Sequence, residues 1–510
     1  MLLIAASLFF SRFLISVGFI LVGLNWIFEG QFKEKLSFVK KNKAGFYIVL
    51  LWLLHLIGLL YTKNIESGIN DIRIKTFLFF IFVYGSGTQI SNKRRDIVFQ
   101  IFILSALITS VIFSFNFYIG NKLIGIEDLA GMSFFGGNLY QGILISFAIS
   151  LLCYFLISNR YTKYSIIYYF TILWFIIYLF LLNSLTGYIL LFFLFVFNSL
   201  YLFVKQNEKW SKLKISFIFL LIIALSSIYV GLIVKEFYRS DHFVYEQLPK
   251  TTINGNIYTQ DTISKQKENG HYLYLNFCQK ELEEEWNVRS FFVYDGLDKK
   301  HQQISQTLIR YLSSKNLTKD SVGVWALSIN EIQLIENGYA NYLYTDKFSI
   351  KARLYIVIWQ LDKYFNQGYA NRQTISQRFV YMKAAFELIK EHFWTGVGPG
   401  DVVDESNKYI VENTGLTKEY SNRVHIQFLV EFVGLGIFGF IVFTFFIFYP
   451  YYKNKMWKDY LFTSFFLIVI LSFFSEYLFE TQLGITFFAY FYSLLFFKPQ
   501  EFSNKKNPVN

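Results

Sequence analysis

Two neighbouring segments, TISQRFVYMKAAFELIKEHFWTGVGPGD (374–401) and NRVHIQFLVEFVGLGIFGF (422–440), decide how this chain folds. The first has the pattern of an amphipathic helix followed by a glycine-rich turn. The second carries His425 directly into an apolar run long enough to form a membrane span. We therefore expect an extramembrane helix and a membrane helix to meet at one surface.

The helix that starts near Thr374 shows several local signals. Thr374 and Gln377 have the spacing of a capping box. Apolar residues that recur at helical spacing predict one buried face, formed by Phe379, Met382, Phe386 and Ile389. Gly396, Gly398 and Gly400 are expected to end the helix.

Arg378 is unusual at its position, because the helix dipole favours anions in the first turn. A guanidinium beside free backbone N–H groups is favourable when a phosphate or a carboxylate lies between them. The alternative is an ordinary solvated arginine. Both interpretations stay open from the residues alone.

Composition places the whole chain in the membrane. Of its 510 residues 54% are hydrophobic and 21% aromatic, with five prolines and a mean hydropathy of +0.36. Such a chain is too apolar for a soluble protein. Apolar runs near the length that ~30 Å of hydrocarbon requires lie at 2–28, 45–61, 74–89, 97–118, 138–157, 164–182, 186–204, 214–235, 427–449, 460–475 and 482–497.

The net charge of +12 would suggest nucleic-acid binding in a soluble protein, but here it follows membrane topology. Basic residues fall on alternate connections, at Lys33, Lys35, Lys40, Lys41, Lys43, Lys93, Arg94, Arg95, Arg160, Lys163, Lys205, Lys209, Lys212, Lys214, Lys453, Lys455, Lys458, Lys498, Lys505 and Lys506. We assign these connections to the cytoplasm, and no nucleic-acid partner is implied. The intervening connections, neutral, mixed or acidic, are expected outside.

This topology predicts an all-α polytopic membrane protein with 11–12 transmembrane helices. We divide the chain into N-terminal transmembrane helices (1–235), a large, mainly helical outer loop domain (236–425), three C-terminal transmembrane helices (426–497) and a cytoplasmic tail (498–510). The number of spans depends on whether 2–28 is one tilted helix or is divided at Ser11 and Arg12; we favour the division, which gives twelve.

The sequence contains no recognisable motif for binding a metal or another cofactor. Cys153 lies in a predicted span and Cys278 in the outer loop, so no disulfide is expected between them. The six histidines are scattered, and no His/Cys cluster has zinc spacing. We therefore predict neither a metal nor another cofactor.

His425 is the best candidate base in the chain, because an imidazole exchanges protons near neutral pH and this one precedes an apolar helix. A histidine at a membrane interface can also be only an amphipathic anchor. Glu476 and Glu480, in the last outer connection, are either polar contacts to a sugar or markers of topology.

The order of these features resembles the shared domain of the O-antigen ligase and O-antigen polymerase superfamily. The resemblance rests on Arg378 with Ala384 and Ala385, then GVGPGD (396–401), then His425 followed by QFLVEFVGLGIFGF, and covers about 376–440. The stretches RSFFVYDG (289–296) and ETQLGITFFAYFYSLLF (480–496) look like the version found in Bacteroidetes-type bacteria.

The resemblance implies a glycosyltransferase with a GT-C-like architecture in the bacterial inner membrane, with its large loop in the periplasm. Such enzymes move a glycan from undecaprenyl diphosphate to a hydroxyl without a metal, and they invert the configuration at the anomeric carbon. The acceptor is lipid A core in the ligases of lipopolysaccharide biosynthesis, another repeat unit in the polymerases and a protein in the related oligosaccharyltransferases. By the same resemblance, Arg378 holds the diphosphate and His425 is needed for transfer.

One departure from the family is visible. Many ligases have a second arginine in a Ser-Arg motif, and here Leu185 stands at that position. We expect Arg239, Arg353 or Arg372 to supply the second charge, or the carrier to bind differently. Gly398, Gly400 and Glu480 complete the predicted substrate-binding set.

A non-enzymatic glycan transporter is the alternative from another class. Transporters usually carry ionisable groups or broken helices at the midplane of several spans. The predicted spans are nearly free of charge, which favours an enzyme.

Overall fold

The computed structural model describes residues 1–41, 43–87, 89–118, 137–206, 208–239, 245–261, 263, 266–346, 349–368, 370–371, 373–418 and 424–497. These residues form two compact units. The first contains the described residues of 1–216 and 370–510, and the second contains those of 217–369.

The first unit is a bundle of helices. Its members are α1 (Leu2–Ser7), α2 (Arg12–Phe28), α3 (Phe32–Lys41), α4 (Lys43–Gly58), α5 (Ile65–Lys75), α6 (Phe79–Ser86), α7 (Asn92–Tyr118), α8 (Gly137–Ile157), α9 (Ser165–Leu181), α10 (Leu185–Lys205), α17 (Thr374–Glu391), α18 (Val402–Asn413), α19 (Gln427–Lys453), α20 (Tyr460–Ser475) and α21 (Gln482–Phe496). The helix α11 (Lys209–Tyr238) begins in this unit and continues into the second.

Most of the predicted apolar runs coincide with these helices, because a backbone in hydrocarbon must satisfy its hydrogen bonds within the segment. The run 74–89 instead falls on the end of α5, a short 3-10 turn and the eight-residue α6. In the described part of the chain, six helices are long and apolar enough to cross a membrane: α7, α8, α9, α10, α11 and α19. Three shorter apolar helices, α2, α20 and α21, accompany them. The chain is thus an all-α polytopic membrane protein, as predicted.

The N-terminal run is divided where the sequence suggested. Ser11 caps α2 by accepting a hydrogen bond from the backbone N–H of Leu14, and Gly18 of α2 lies against Ile4 of α1. With six residues α1 is only ~9 Å long. The division is confirmed, but α1 is too short to be the extra membrane span that we inferred from it.

The helix α8 is the centre of the first unit. It is apolar on all sides and buried along most of its length. The fully buried ring of Phe147 contacts four other phenylalanine rings, those of Phe102, Phe465, Phe487 and Phe491. This aromatic cluster joins α7, α20 and α21 to α8.

The second unit has its own core. Besides the end of α11 it contains α12 (Gln279–Arg289), α13 (Ile304–Ser314), α14 (Ser321–Trp325), α15 (Ile329–Glu336), α16 (Ile350–Gln367) and a hairpin of β1 (Lys267–Glu268) and β2 (His271–Tyr272). Trp286, Leu308 and Leu312 are fully buried in the core, and the Trp286 indole donates to the carbonyl of Phe292. The unit is mainly helical.

The compact units do not follow the domain boundaries drawn from topology. The described residues of 370–425 lie within the unit of membrane helices, although they belong to the predicted loop domain 236–425. The predicted boundaries at 235 and 425 mark where the chain is expected to leave the membrane and to enter it again, and they stay predictions.

Candidate active site

The helix α17 begins at Thr374 and presents Arg378 from its second turn, not from the first turn as predicted. Gln373 is the residue before the helix, and no side chain caps the first turn. Instead, the Ser376 hydroxyl donates to Oε1 of Gln373. The predicted capping box of Thr374 and Gln377 is therefore wrong, because Thr374 is the first helical residue and Gln373 occupies the cap position.

The buried face of α17 also differs from the prediction. The buried residues are Ser376, Val380, Tyr381, Ala384, Ala385, Leu388 and Ile389. Of the predicted face, Ile389 is buried, Phe379 and Met382 are half-buried and Phe386 is 49% exposed. The small side chains of Ala384 and Ala385 allow close packing, which leaves Phe379 and Met382 on the side of Arg378.

The glycine-rich turn attaches α17 to α19. The helix ends at Glu391, five residues before Gly396, so the glycines do not terminate it as predicted. The backbone N–H groups of Val397 and Gly398 donate to the carbonyls of Val433 and Gly434 in α19. These two bonds pair the turn with the first turns of α19.

Positive φ angles at two glycines permit this pairing. Gly396 has φ +71°, and a Cβ there would lie 2.5 Å from the backbone of Gly434. Gly436 interrupts the helical geometry of α19 with φ +64°, and its Cβ would lie 2.3 Å from the carbonyl oxygen of Trp394. Only glycine adopts such a conformation in contact with another backbone.

Gly398, Gly400 and Asp401 pack against the connection between α4 and α5. A Cβ on Gly398 would meet Thr62 and one on Gly400 would meet the carbonyl of Asn64. The Asp401 carboxylate accepts from the backbone N–H groups of Lys63 and Asn64, each at 2.7 Å. The two glycines thus have a packing role, and their predicted contact with substrate stays a prediction.

Arg378 and His425 line one pocket of about 190 Å³. Its other lining residues are mostly apolar: Ile375, Phe379, Met382, Ile426, Phe474 and Ser475. A cation and an imidazole therefore meet in a largely apolar cleft. The sequence indicated both residues as candidate catalytic groups, and the structure places them in the same pocket.

The His425 ring is held between two tyrosines. Its centroid lies 5.4 Å from that of Tyr381 in α17 and 5.0 Å from that of Tyr477 in the connection after α20. Val424 beside it is fully buried. These contacts fix the segment that leads into α19 and orient the imidazole.

Arg378 has a carboxylate partner within the protein. Its Nη2 donates to Oε1 of Glu476 at 2.8 Å. The Glu476 side chain is 3% exposed, whereas that of Arg378 is 32% exposed. Glu476 follows the last residue of α20, outside the membrane-spanning helices; burial raises its pKa to about 7, while Arg378 opposes this rise.

The same connection carries Glu480, which pairs with a buried lysine. Nζ of Lys75 donates to Glu480 at 2.8 Å and also to Asp71 one turn earlier in α5. The Lys75 side chain is 2% exposed. Glu480 thus has a structural partner, and its predicted contact with substrate stays a prediction.

Gln427 links this ion cluster to the segment of His425. Its amide nitrogen donates to Glu431 at 3.0 Å and to Glu480 at 3.4 Å, and its amide oxygen accepts from the N–H of Phe479 at 2.8 Å. Nε2 of His55 in α4 lies 3.2 Å from Glu431. In the sequence, the only sign of this cluster was that charged residues occur next to apolar helices. The spacing of these residues along the chain did not indicate which of them form pairs.

The remaining predicted arginines lie elsewhere. Arg353 is half-buried in α16 and Arg239 is exposed after α11, both in the second unit. Arg372 lies outside the described residues. Leu185 is the first residue of α10, after the cap Ser184. Which residue supplies a second charge stays a prediction.

Among the described residues, no group of three or more His, Cys, Asp or Glu side chains could hold a metal ion. The chemistry that the pocket itself offers is electrostatic stabilisation of an anion by Arg378 and proton transfer by His425.

Comparison with protein families finds one match over this region. Residues 342–444, which contain α17, the glycine-rich turn and His425, match the family model described as O-antigen ligase. No curated protein sequence matches the chain. Glycan transfer of the ligase or polymerase type is the general function that this domain supports. The match over residues 342–444 supports membership of the chain in the O-antigen ligase superfamily.

Proposed function

We propose that the protein transfers a glycan from undecaprenyl diphosphate to an acceptor hydroxyl at the periplasmic face of the bacterial inner membrane. The observation that carries this proposal is the common pocket of Arg378 and His425. The acceptor of the ligase reaction is lipid A core.

Arg378 is suited to the leaving group. When the bond between the anomeric carbon and the diphosphate oxygen breaks, negative charge develops on the phosphate oxygens. A guanidinium offers several N–H donors to such oxygens and stabilises their charge most strongly where water is excluded. Phe379, Met382 and Phe474 line the same pocket and suit the apolar carrier next to the diphosphate.

His425 is suited to the acceptor. The attacking hydroxyl must lose its proton as its oxygen bonds to the anomeric carbon. An imidazole held between Tyr381 and Tyr477 can take up that proton. Direct displacement of the diphosphate inverts the anomeric configuration, and neither step of this scheme requires a metal.

A polymerase or a protein glycosyltransferase would use the same donor chemistry with another acceptor. A transporter would bind the glycan without bond formation. The placement of a cation and a base in one pocket, within the matched family domain, favours transfer over transport.

The test is the surface-glycan profile of a cell that lacks the gene and is complemented at equal protein level. Wild type is compared with Arg378→Ala and His425→Ala. Matched controls are Lys383→Ala, an exposed cation on α17, and His392→Ala, an exposed histidine after that helix.

We expect wild type and both controls to restore polymer on its acceptor, and the two pocket variants to accumulate carrier-linked polymer. Accumulation of single repeat units would assign the polymerase reaction instead. Full rescue by both pocket variants would refute the catalytic roles and favour transport.

A further inference from the structure

The contact between Arg378 and Glu476 has a chemical consequence for an anionic donor. The guanidinium has five N–H donors, and its bond to Glu476 uses one of them, on Nη2. About a third of the Arg378 side chain stays exposed and lines the pocket, whereas Glu476 is buried behind it. Glu476 therefore holds one edge of the guanidinium while other N–H groups remain available to a ligand.

The charges around Glu476 leave Arg378 as its compensating cation. Arg378, which α17 contributes, forms an ion pair with Glu476. From the segment before α19, the His425 ring packs on Tyr477, the next residue. At the far end of the connection, Glu480 is paired with Lys75 of α5. An ionised Glu476 thus neutralises the charge that Arg378 would present to the pocket.

We infer that Glu476 is a positioning residue that orients Arg378 and, when ionised, offsets its positive charge, so that binding of a diphosphate is coupled to uptake of one proton by Glu476. This inference rests on the proposed function, because it takes the ligand of Arg378 to be the donor diphosphate. The hydrogen bond survives protonation, since the carbonyl oxygen of a carboxylic acid still accepts from Nη2. The orientation of Arg378 is kept while the negative charge is removed.

The sign of the coupling follows from the charges. A bound diphosphate is a second anion beside Glu476 and favours its protonated form. Binding then consumes a proton, so donor affinity falls as pH rises. Since burial already raises the pKa of Glu476 to about 7, the coupling falls in the physiological range.

The test measures binding of undecaprenyl diphosphate without glycan to the purified full-length protein in detergent, between pH 6 and pH 8. Wild type is compared with Glu476→Gln, Glu476→Ala and Arg378→Ala. The glutamine keeps an acceptor for Arg378 without the charge, and its pH profile records the titration of the diphosphate itself.

We expect wild-type affinity to fall by up to about tenfold more than that of Glu476→Gln between pH 7 and pH 8, the limit for one linked proton. Glu476→Gln should bind more tightly than wild type at pH 8. Glu476→Ala should bind more weakly than Glu476→Gln at every pH, because Arg378 loses its orienting partner.

Identical pH profiles of wild type and Glu476→Gln would overturn the inference while leaving the donor site intact. If wild type bound undecaprenyl diphosphate no more tightly than Arg378→Ala at any pH, the proposed donor site would be wrong. The role inferred for Glu476 would then be wrong as well. The thermal midpoint of each variant shows whether it is folded; if the alanine variant is not, the comparison of wild type with Glu476→Gln decides.

Discussion

At the scale of single residues, the candidate site depends on side chains whose conformation is fixed by their neighbours. Arg378 is held by Glu476, and His425 is held between two tyrosine rings. Gly436 has a left-handed conformation inside α19 because the carbonyl of Trp394 lies where a side chain would be. Each of these contacts can be changed by one substitution.

Gly436→Ala is expected to destabilise the protein by about 1–3 kcal/mol or more, since a Cβ at positive φ adds backbone strain to a close contact. The thermal midpoint in detergent measures this loss. Gly23→Ala is the matched control, because Gly23 is helical and has open space around its Cβ position. It should keep or raise the midpoint, and an equal loss in both variants would contradict the account.

The raised pKa of Glu476 predicts that the stability of the protein depends on pH. Its pKa is about 7 in the folded protein, above its ordinary value of 4.5, so the folded state binds the proton more tightly than the unfolded state. Stability should therefore fall as pH rises from about 4.5 to about 7, by roughly 1–3 kcal/mol from this group. The midpoint difference between wild type and Glu476→Gln isolates the effect, and a difference that does not change with pH would disprove it.

At the scale of helices, the first unit is held together at one end by buried ion pairs. Lys75 of α5 compensates Asp71 and Glu480, and Gln427 joins Glu480 to Glu431. A buried carboxylate without its cation costs several kcal/mol. The cluster therefore fixes α5 and α19 against the connection that also carries Glu476.

Lys75→Met keeps most of the length of the side chain and removes its charge, which leaves Asp71 and Glu480 buried without their cation. We expect a loss of ~3–5 kcal/mol, measured as a lower thermal midpoint. Lys63→Met is the control: Lys63 is 83% exposed in its pair with Glu405, and such a pair contributes ~0–1 kcal/mol. Equal midpoints for the two variants would show that the cluster does not stabilise the helices.

At the scale of the whole molecule, the membrane helices were predictable because ~20 apolar residues have few alternatives to a spanning helix. The buried face of α17 was not, since Val380, Tyr381, Ala384 and Leu388 repeat at the same helical spacing as Phe379, Met382 and Phe386. A pattern that is apolar on both sides does not select one of them.

The candidate site was predictable in part. Arg378 and His425 were identified from the order of motifs. Their neighbours were not, because Glu476 is 98 residues from Arg378 and Glu480 is 405 residues from Lys75. Such pairs depend on how helices pack, which local sequence patterns do not specify.

The most direct measurement is transfer by the purified protein, with carrier-linked glycan as donor, resolved into kcat and KM for wild type, Arg378→Ala and His425→Ala. We predict that His425→Ala keeps the KM for donor within about twofold and lowers kcat by ~10²–10⁴-fold. Arg378→Ala should raise the KM for donor and lower kcat as well, because it removes a contact to the leaving group. Turnover by both variants within about threefold of wild type, well below the ~10²-fold of a catalytic group, would contradict the claim that these two residues carry the reaction.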